Sequence, residues 1–186
     1  LSEPRGQSCA ACHGPKVGWT GPDSAVNEGG AVYPGAVNTR FGNRKPPASA
    51  YAGMSPILHQ DEKGDFIGGM FWDGRATGET LGDPLAEQAM GPFLNPLEQN
   101  NPDKKSVVMK VKSSDYVSLF EKVFPNVKDM DWEKEADKIY EFIGRAIAAF
   151  ERSNEVSPYS SKFDAFWKKA ESKGLKVEEI SDKNWS

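Results

Sequence analysis

Cys9-Ala10-Ala11-Cys12-His13 is the stretch on which the reading of this chain turns. Two thiols separated by two residues can both reach the vinyl groups along one edge of a porphyrin. The adjacent histidine can then turn under the ring and offer an imidazole nitrogen to the iron, which is the attachment pattern of a c-type haem. Other uses of a Cys-x-x-Cys pair fit less well. A structural zinc site needs more thiolates or imidazoles, and the one histidine besides His13 is His59. A dithiol redox site opens a helix after a strand, and no strand pattern precedes Cys9. Cys9 and Cys12 are therefore read as thioether sites, His13 as the proximal iron ligand, and the cofactor as one covalently bound haem c.

Composition narrows the function further. The 186 residues suffice for one domain with its own core, and the net charge of −4 with no basic cluster argues against nucleic acid as a partner. No apolar run approaches the roughly 18–20 residues that cross a bilayer, so no membrane span is expected. No signal peptide is present, and the chain reads as a processed one. Haem attachment of this kind takes place outside the cytoplasmic membrane, which makes the periplasm the expected compartment. Five Trp and ten Phe can wall off a macrocycle.

The chain has two textures. Residues 1–102 carry most of the Gly and Pro, including Gly14-Pro15, Gly21-Pro22, Gly29-Gly30, Pro46-Pro47, Gly68-Gly69 and Gly91-Pro92. Such punctuation predicts loops wrapped around the cofactor, with short helices near Cys9–His13 and Leu85–Met90, the second broken at Gly91-Pro92. Residues 103–172 turn helical. Val107, Val108 and Val111 mark one amphipathic segment, and Tyr116, Leu119, Phe120, Val123 and Phe124 a second that stops at Pro125. The strongest helix is expected from about Asp131 to Arg152, with Trp132, Ala136, Ile139, Ile143, Ala146, Ile147 and Phe150 along one face. Ser157-Pro158 resembles an N-cap followed by a first-turn proline, opening a final helix with Phe163, Phe166 and Trp167. No period-two segment stands out. The expected fold is all-α: a single cytochrome c-like haem domain (1–186) with long loops and short helices, a C-terminal set of amphipathic helices, and residues 173–186 as a linker.

The sixth iron position separates a carrier from a catalyst, because a carrier fills it with a second protein ligand and a catalyst leaves it open. His59 and Met54 are the leading candidate ligands, with Met70, Met90, Met109 and Met130 behind them. Phe71-Trp72-Asp73-Gly74-Arg75-Ala76 sets an indole beside a carboxylate and a guanidinium, which are costly to bury unless they pair with each other or with haem propionates. Arg40, Arg44, Lys45 and Arg75 are the cations available for propionates. Glu87 to Glu98 forms a short helix and an irregular loop that could hang Glu98 over a pocket.

Six motifs in this order carry a resemblance. They are the Cys-x-x-Cys-His pentad, Asn43–Pro47, Phe71–Ala76, Glu87–Glu98, Ile-Gly-Arg-Ala-Ile-Ala-Ala-Phe-Glu-Arg at 143–152, and Ser161-Lys162-Phe163-Asp164. Together they resemble the di-haem bacterial cytochrome c peroxidases, the family that includes MauG, over nearly the whole chain. The resemblance implies a peroxidatic haem domain that reduces hydrogen peroxide to water. Gln88 and Glu98 match the family's distal glutamine and glutamate, Trp72 the tryptophan between its two haems, and Asn43 a calcium ligand shared with the second domain. It also implies a second haem domain or subunit, a small cytochrome or cupredoxin as electron donor, and a homodimer as a candidate assembly. The alternatives are a mono-haem electron carrier and MauG-like oxidation of a partner protein. Two departures stand out. There is no second Cys-x-x-Cys-His. Val26–Tyr33, where many members place an inhibitory histidine, contains none, so the site is open or His59, Met54 or Tyr33 takes that place.

Overall fold

The computed structural model describes residues 1–176. Within them a helix α1 (Ser24–Glu28) is followed by a two-stranded antiparallel hairpin, β1 (His59–Gln60) and β2 (Phe66–Ile67), with His59 opposite Ile67. Five further helices come next: α2 (Pro84–Leu94), α3 (Lys104–Lys112), α4 (Val117–Val123), α5 (Ala136–Glu151) and α6 (Lys162–Ser172). The architecture is mostly helical, and the hairpin departs from the all-α expectation. Two residues per strand are too few to leave a period-two pattern in the sequence.

The core sits where α5 crosses α2 and α3. Ile139, Tyr140 and Ile143 of α5 meet Val107, Val108 and Val111 of α3, with Phe93 of α2, Val127 and Trp132 completing the cluster. Each such side chain, withdrawn from water, stabilises the fold by roughly 1.5–3 kcal/mol. The approach of α5 to α2 depends on Gly144. A Cβ there would stand 2.7 Å from the Ala86 carbonyl oxygen and 2.8 Å from Met90 Cγ. Gly144→Ala should therefore cost about 1–3 kcal/mol, the usual range for overpacking a close contact, read as a lowered midpoint in denaturant unfolding. An unchanged midpoint would mean that the helices part without penalty.

Helix α2 runs through Gly91 and Pro92 to Leu94, so the expected break there does not occur. Pro92 removes one N–H close to the helix end, where little of the ladder remains to be lost. The carbonyls left over at that end are taken by the chain as it turns back: Gln99 N donates to Pro92 O (3.1 Å) and Asn101 N to Phe93 O (2.9 Å). This return lays residues 95–101 alongside α2.

Other boundaries also move. Helix α5 starts at Ala136, because Asp131 Oδ1 accepts the N–H groups of Glu133 and Lys134 and holds the preceding residues in a turn. Pro125 opens a 3₁₀ turn, Pro125–Asp129, directly after α4. On α4, Phe120 and Phe124 pack toward Trp132 and Phe142 while Leu119 and Val123 stay exposed. The last helix is capped by Ser161, not by Ser157. Ser161 and Asp164 form a reciprocal capping box, whereas the buried Ser157 hydroxyl accepts from Tyr51 N (2.9 Å) and donates to Glu151 O (3.0 Å). The expected linker lies mostly outside the described residues.

Candidate active site

Cys9–Ala11 form a 3₁₀ turn that closes with Cys12 N and His13 N both donating to Cys9 O, at 3.1 and 2.9 Å. This turn sets both thiols and the imidazole on one short arc. The chain then loops back through Gly18, whose φ of 73° suits a residue without a Cβ, so that Gly14 N meets Thr20 O (2.8 Å). The loop brings the Trp19 carbonyl to 3.0 Å from His13 Nδ1. With the Nδ1 proton donated there, Nε2 keeps its lone pair for a metal. Burial lowers the His13 pKa against the opposing pull of the Trp19 and Pro47 carbonyls, which favours the neutral, ligating form.

Both cysteines are free thiols. Burial, with the Glu98 charge nearby, pushes Cys12 up to about 11. Burial and the Glu151 charge raise Cys9 as well.

Cys9, Cys12 and His13 open onto a cavity of about 310 Å³. Its walls are largely apolar, with Ala89, Pro92, Phe93, Ile147, Phe150 and Val156 among them. Three of its polar residues, Gln7, Gln99 and Glu151, each carry a buried oxygen with no hydrogen-bond partner. Two thiols and the adjacent histidine, lining one largely apolar cavity, are the donor set and surroundings that a covalently held haem requires. The residues fit that group.

Gln88 and Glu98 reach the same cavity by different routes. Gln88 lies on α2 next to Glu87, whose carboxylate accepts the backbone N–H groups of Gly78, Thr80 and Leu81 at 2.8 Å each and so fixes the helix to the preceding loop. Glu98 lies on the return loop behind α2. Asn95 shapes that loop by accepting from Leu97 N at its side-chain oxygen (2.9 Å) and donating Nδ2–H to Glu98 Oε1 (2.9 Å). A second loop supports it from outside. Ala36 N donates to Glu98 O (2.7 Å), and Gly35 approaches so closely that a Cβ would lie 2.3 Å from Leu97 O. Burial raises the Glu98 pKa, with Asn95 and the Arg75 charge pulling the other way.

The remaining sequence candidates scatter around this cavity. Trp72 is 66% exposed, and its indole N–H donates to Lys45 O (2.9 Å). Asp73 pairs with Arg44 (2.7 Å) and Arg75 (2.8 Å), which hold its carboxyl at about 2. Arg44 also lines the cavity, Arg75 stacks 3.8 Å over the Phe71 ring, and Arg40 donates to Asn100 Oδ1 (2.9 Å). Asn43 is exposed, and no group of three or more His, Cys, Asp or Glu that could hold a metal ion occurs among the described residues.

His59 and Met54 stand elsewhere. The His59 ring is exposed on β1, with Nδ1 2.8 Å from Ile57 O, and Met54 is 73% exposed; neither lines the cavity. Tyr33 does line it, but its hydroxyl is engaged by donation to Asn27 Oδ1 (3.0 Å) and acceptance from Asp23 N (2.9 Å). Trp19, Ser49, Gln99 and Glu151 complete the cavity without having been singled out from the sequence. Glu151 was visible only as one letter of a motif, and nothing local marks the other three.

The family model for di-haem cytochrome c peroxidases matches residues 1–172. The methylamine utilization protein MauG of Paracoccus denitrificans (strain Pd 1222) is 36% identical over 166 residues, covering 88% of this chain and 40% of MauG. The crystal structure of the diheme peroxidase BthA from Burkholderia thailandensis E264 superposes with a TM-score of 0.74 at 31% identity, covering 89% of this chain and 38% of BthA. A variant of BthA superposes equally well, with a TM-score of 0.73. The chain thus spans about two fifths of the length of each of these relatives.

Proposed function

This chain belongs to the di-haem cytochrome c peroxidase family, and we propose on that footing that it is the peroxidatic haem domain of a periplasmic oxidoreductase acting on hydrogen peroxide. The observation that carries the reading is the convergence of Gln88 and Glu98 on the cavity onto which Cys9, Cys12 and His13 open. Cys9 and Cys12 would hold haem c by thioethers and His13 would ligate its iron. The haem, when bound, supplies the iron centre at which peroxide takes up two electrons and two protons to give two waters.

The chain's own residues set the conditions for that chemistry. His13 Nδ1, donating to Trp19 O, orients the ring and leaves Nε2 as the nitrogen that would ligate the iron. The apolar walls exclude water from the reacting oxygens. The Gln88 side-chain amide orients peroxide by hydrogen bonding. Glu98 takes a proton from one peroxide oxygen and returns it to the departing one, a general acid–base role for which a raised carboxyl pKa is suited. Arg44, which lines the cavity and pairs with Asp73, would offer its remaining N–H groups to a haem propionate.

Electrons would come from a second haem domain or subunit, fed by a small cytochrome or cupredoxin, with Trp72 on the exposed side as the connecting residue. Asn43 would contribute to a calcium site only with ligands from that partner. The likeness to MauG supports a second reading, oxidation of a docked protein side chain, which uses the same cavity residues. The positions of His59 and Met54 away from the cavity weigh against an electron carrier with two protein ligands.

Stopped-flow mixing of the haem-loaded protein with peroxide across pH, following the Soret band, tests the reading. Glu98 works as a base only when ionised, and burial raises its pKa. The rate should therefore be full at neutral pH and fall as the solution is acidified, with an inflection above the ordinary glutamate value of about 4.3. A rate independent of pH, or no reaction with peroxide, would overturn it.

A further inference from the structure

The C-terminal end of α5 is built against the loop that presents His13. The Phe150 ring meets Trp19 edge-on, with centroids 5.7 Å apart and planes at 83°. Trp19 has a φ of 59°, a left-handed conformation that a non-glycine residue keeps only where its surroundings hold it. The Trp19 carbonyl, so turned, accepts from both His13 Nδ1 (3.0 Å) and Ser49 N (3.1 Å), and both of its lone pairs are used.

The Ser49 hydroxyl lies 3.4 Å from the same Nδ1, and Ser49 and Glu151 line the same cavity. Glu151 follows Phe150 on α5 and lines the cavity. Its Oε2 is buried and without a hydrogen-bond partner. The adjacent cation is committed elsewhere, because Arg152 donates through Nη1 and Nη2 to Asp83 at 2.9 and 2.8 Å. Burial raises the Glu151 pKa while Ser49 and the Arg152 charge draw it back. A carboxyl held at such a place without its own ion pair is costly unless a neighbour hydrogen-bonds to it.

We propose that Ser49 and Glu151 are positioning residues for the iron ligand: the Ser49 hydroxyl donates to the Glu151 carboxyl, and its oxygen shares the His13 Nδ1 proton with the Trp19 carbonyl. His13 has one Nδ1 proton and Ser49 one hydroxyl proton, each with an acceptor in this arrangement, and the Pro47 carbonyl also bears on the ring. A carboxyl drawing on the hydroxyl makes Ser49 Oγ a better acceptor, which makes His13 Nε2 more basic and its bond to a metal stronger. The inference rests on His13 being the proximal ligand.

The test uses the haem-loaded protein with Ser49→Ala, Glu151→Gln and the double substitution. The readouts are the iron–imidazole stretching band of the ferrous form by resonance Raman and the ferric/ferrous midpoint potential, and neither requires turnover. Each single variant should move the band to lower frequency and raise the potential. The double variant should go no further than the larger single effect, because both residues act along one path. Unshifted bands and potentials would overturn the proposal. So would additive shifts, which would mean that Glu151 acts by charge alone. If Ser49→Ala loses haem, the near-isosteric Glu151→Gln decides by itself. A band left unchanged by His13→Ala would instead remove His13 as the ligand, a failure distinct from that of the relay.

Discussion

Replacing Glu98 by Gln should slow peroxide consumption by roughly 10²–10⁴-fold, the scale for loss of a positioned general acid–base group. The substitution keeps the shape and the side-chain oxygen that accepts from Asn95 Nδ2, so the return loop should hold its course. What disappears is the ability to accept a proton and release it. The Soret band of the resting protein should barely move, because Glu98 is not expected to ligate the iron. Gln88→Ala should cost less, since it removes a positioning contact and leaves proton transfer in place. Stopped-flow mixing of each variant with peroxide decides between these roles. A rate in Glu98→Gln equal to that of the parent would take Glu98 out of the mechanism. A loss in Gln88→Ala alone would reduce the site to one orienting residue.

Changing Cys9 and Cys12 together to Ala should release all covalently bound haem on acid–acetone extraction, while the parent protein retains it through denaturation. Each single substitution should leave one thioether and a haem that still resists extraction. Cys9 and Cys12 are the two cysteines of the chain and belong to the turn that also carries His13, so the double variant leaves no thiol for attachment. The double variant should also lose stability in the first hundred residues, where helix is scarce and the loops can pack on the cofactor. Retention of haem by the double variant after extraction would refute covalent attachment at this pair.

The sequence carried the chemistry further than it carried the architecture. Cys9, Cys12 and His13 stand out because the attachment proposed for them demands a fixed local spacing, and local spacing is what a sequence displays. The helical second half was legible for a similar reason: Val107, Val108, Val111, Ile139 and Ile143 recur at helical intervals and are buried in the core. Helix boundaries were less so. Ser157 looked like a cap because its residue type suits one, yet its hydroxyl is drawn to Tyr51, more than a hundred residues away in the chain. A cap is a competition between local and distant partners, and the sequence lists only the local ones.

The sixth-ligand candidates show the same limit from the other side. His59 and Met54 were singled out by side-chain chemistry alone, and the hairpin and the neighbouring turn leave both exposed away from the cavity. Glu98 and Gln88 line one cavity because the carbonyls at the end of α2 need donors and the chain turns back to supply them from Gln99 and Asn101. Ser49 and Glu151 are about a hundred positions apart, and they line one cavity with His13 because Phe150 packs on Trp19 and Tyr51 N donates to Ser157 Oγ. By itself the sequence determined which cofactor chemistry this chain is equipped for and which family it resembles, because those depend on residue type and short spacing. Only the tertiary structure decided which carboxylates face the cavity, since that depends on where backbone groups far apart in the chain find their hydrogen-bond partners.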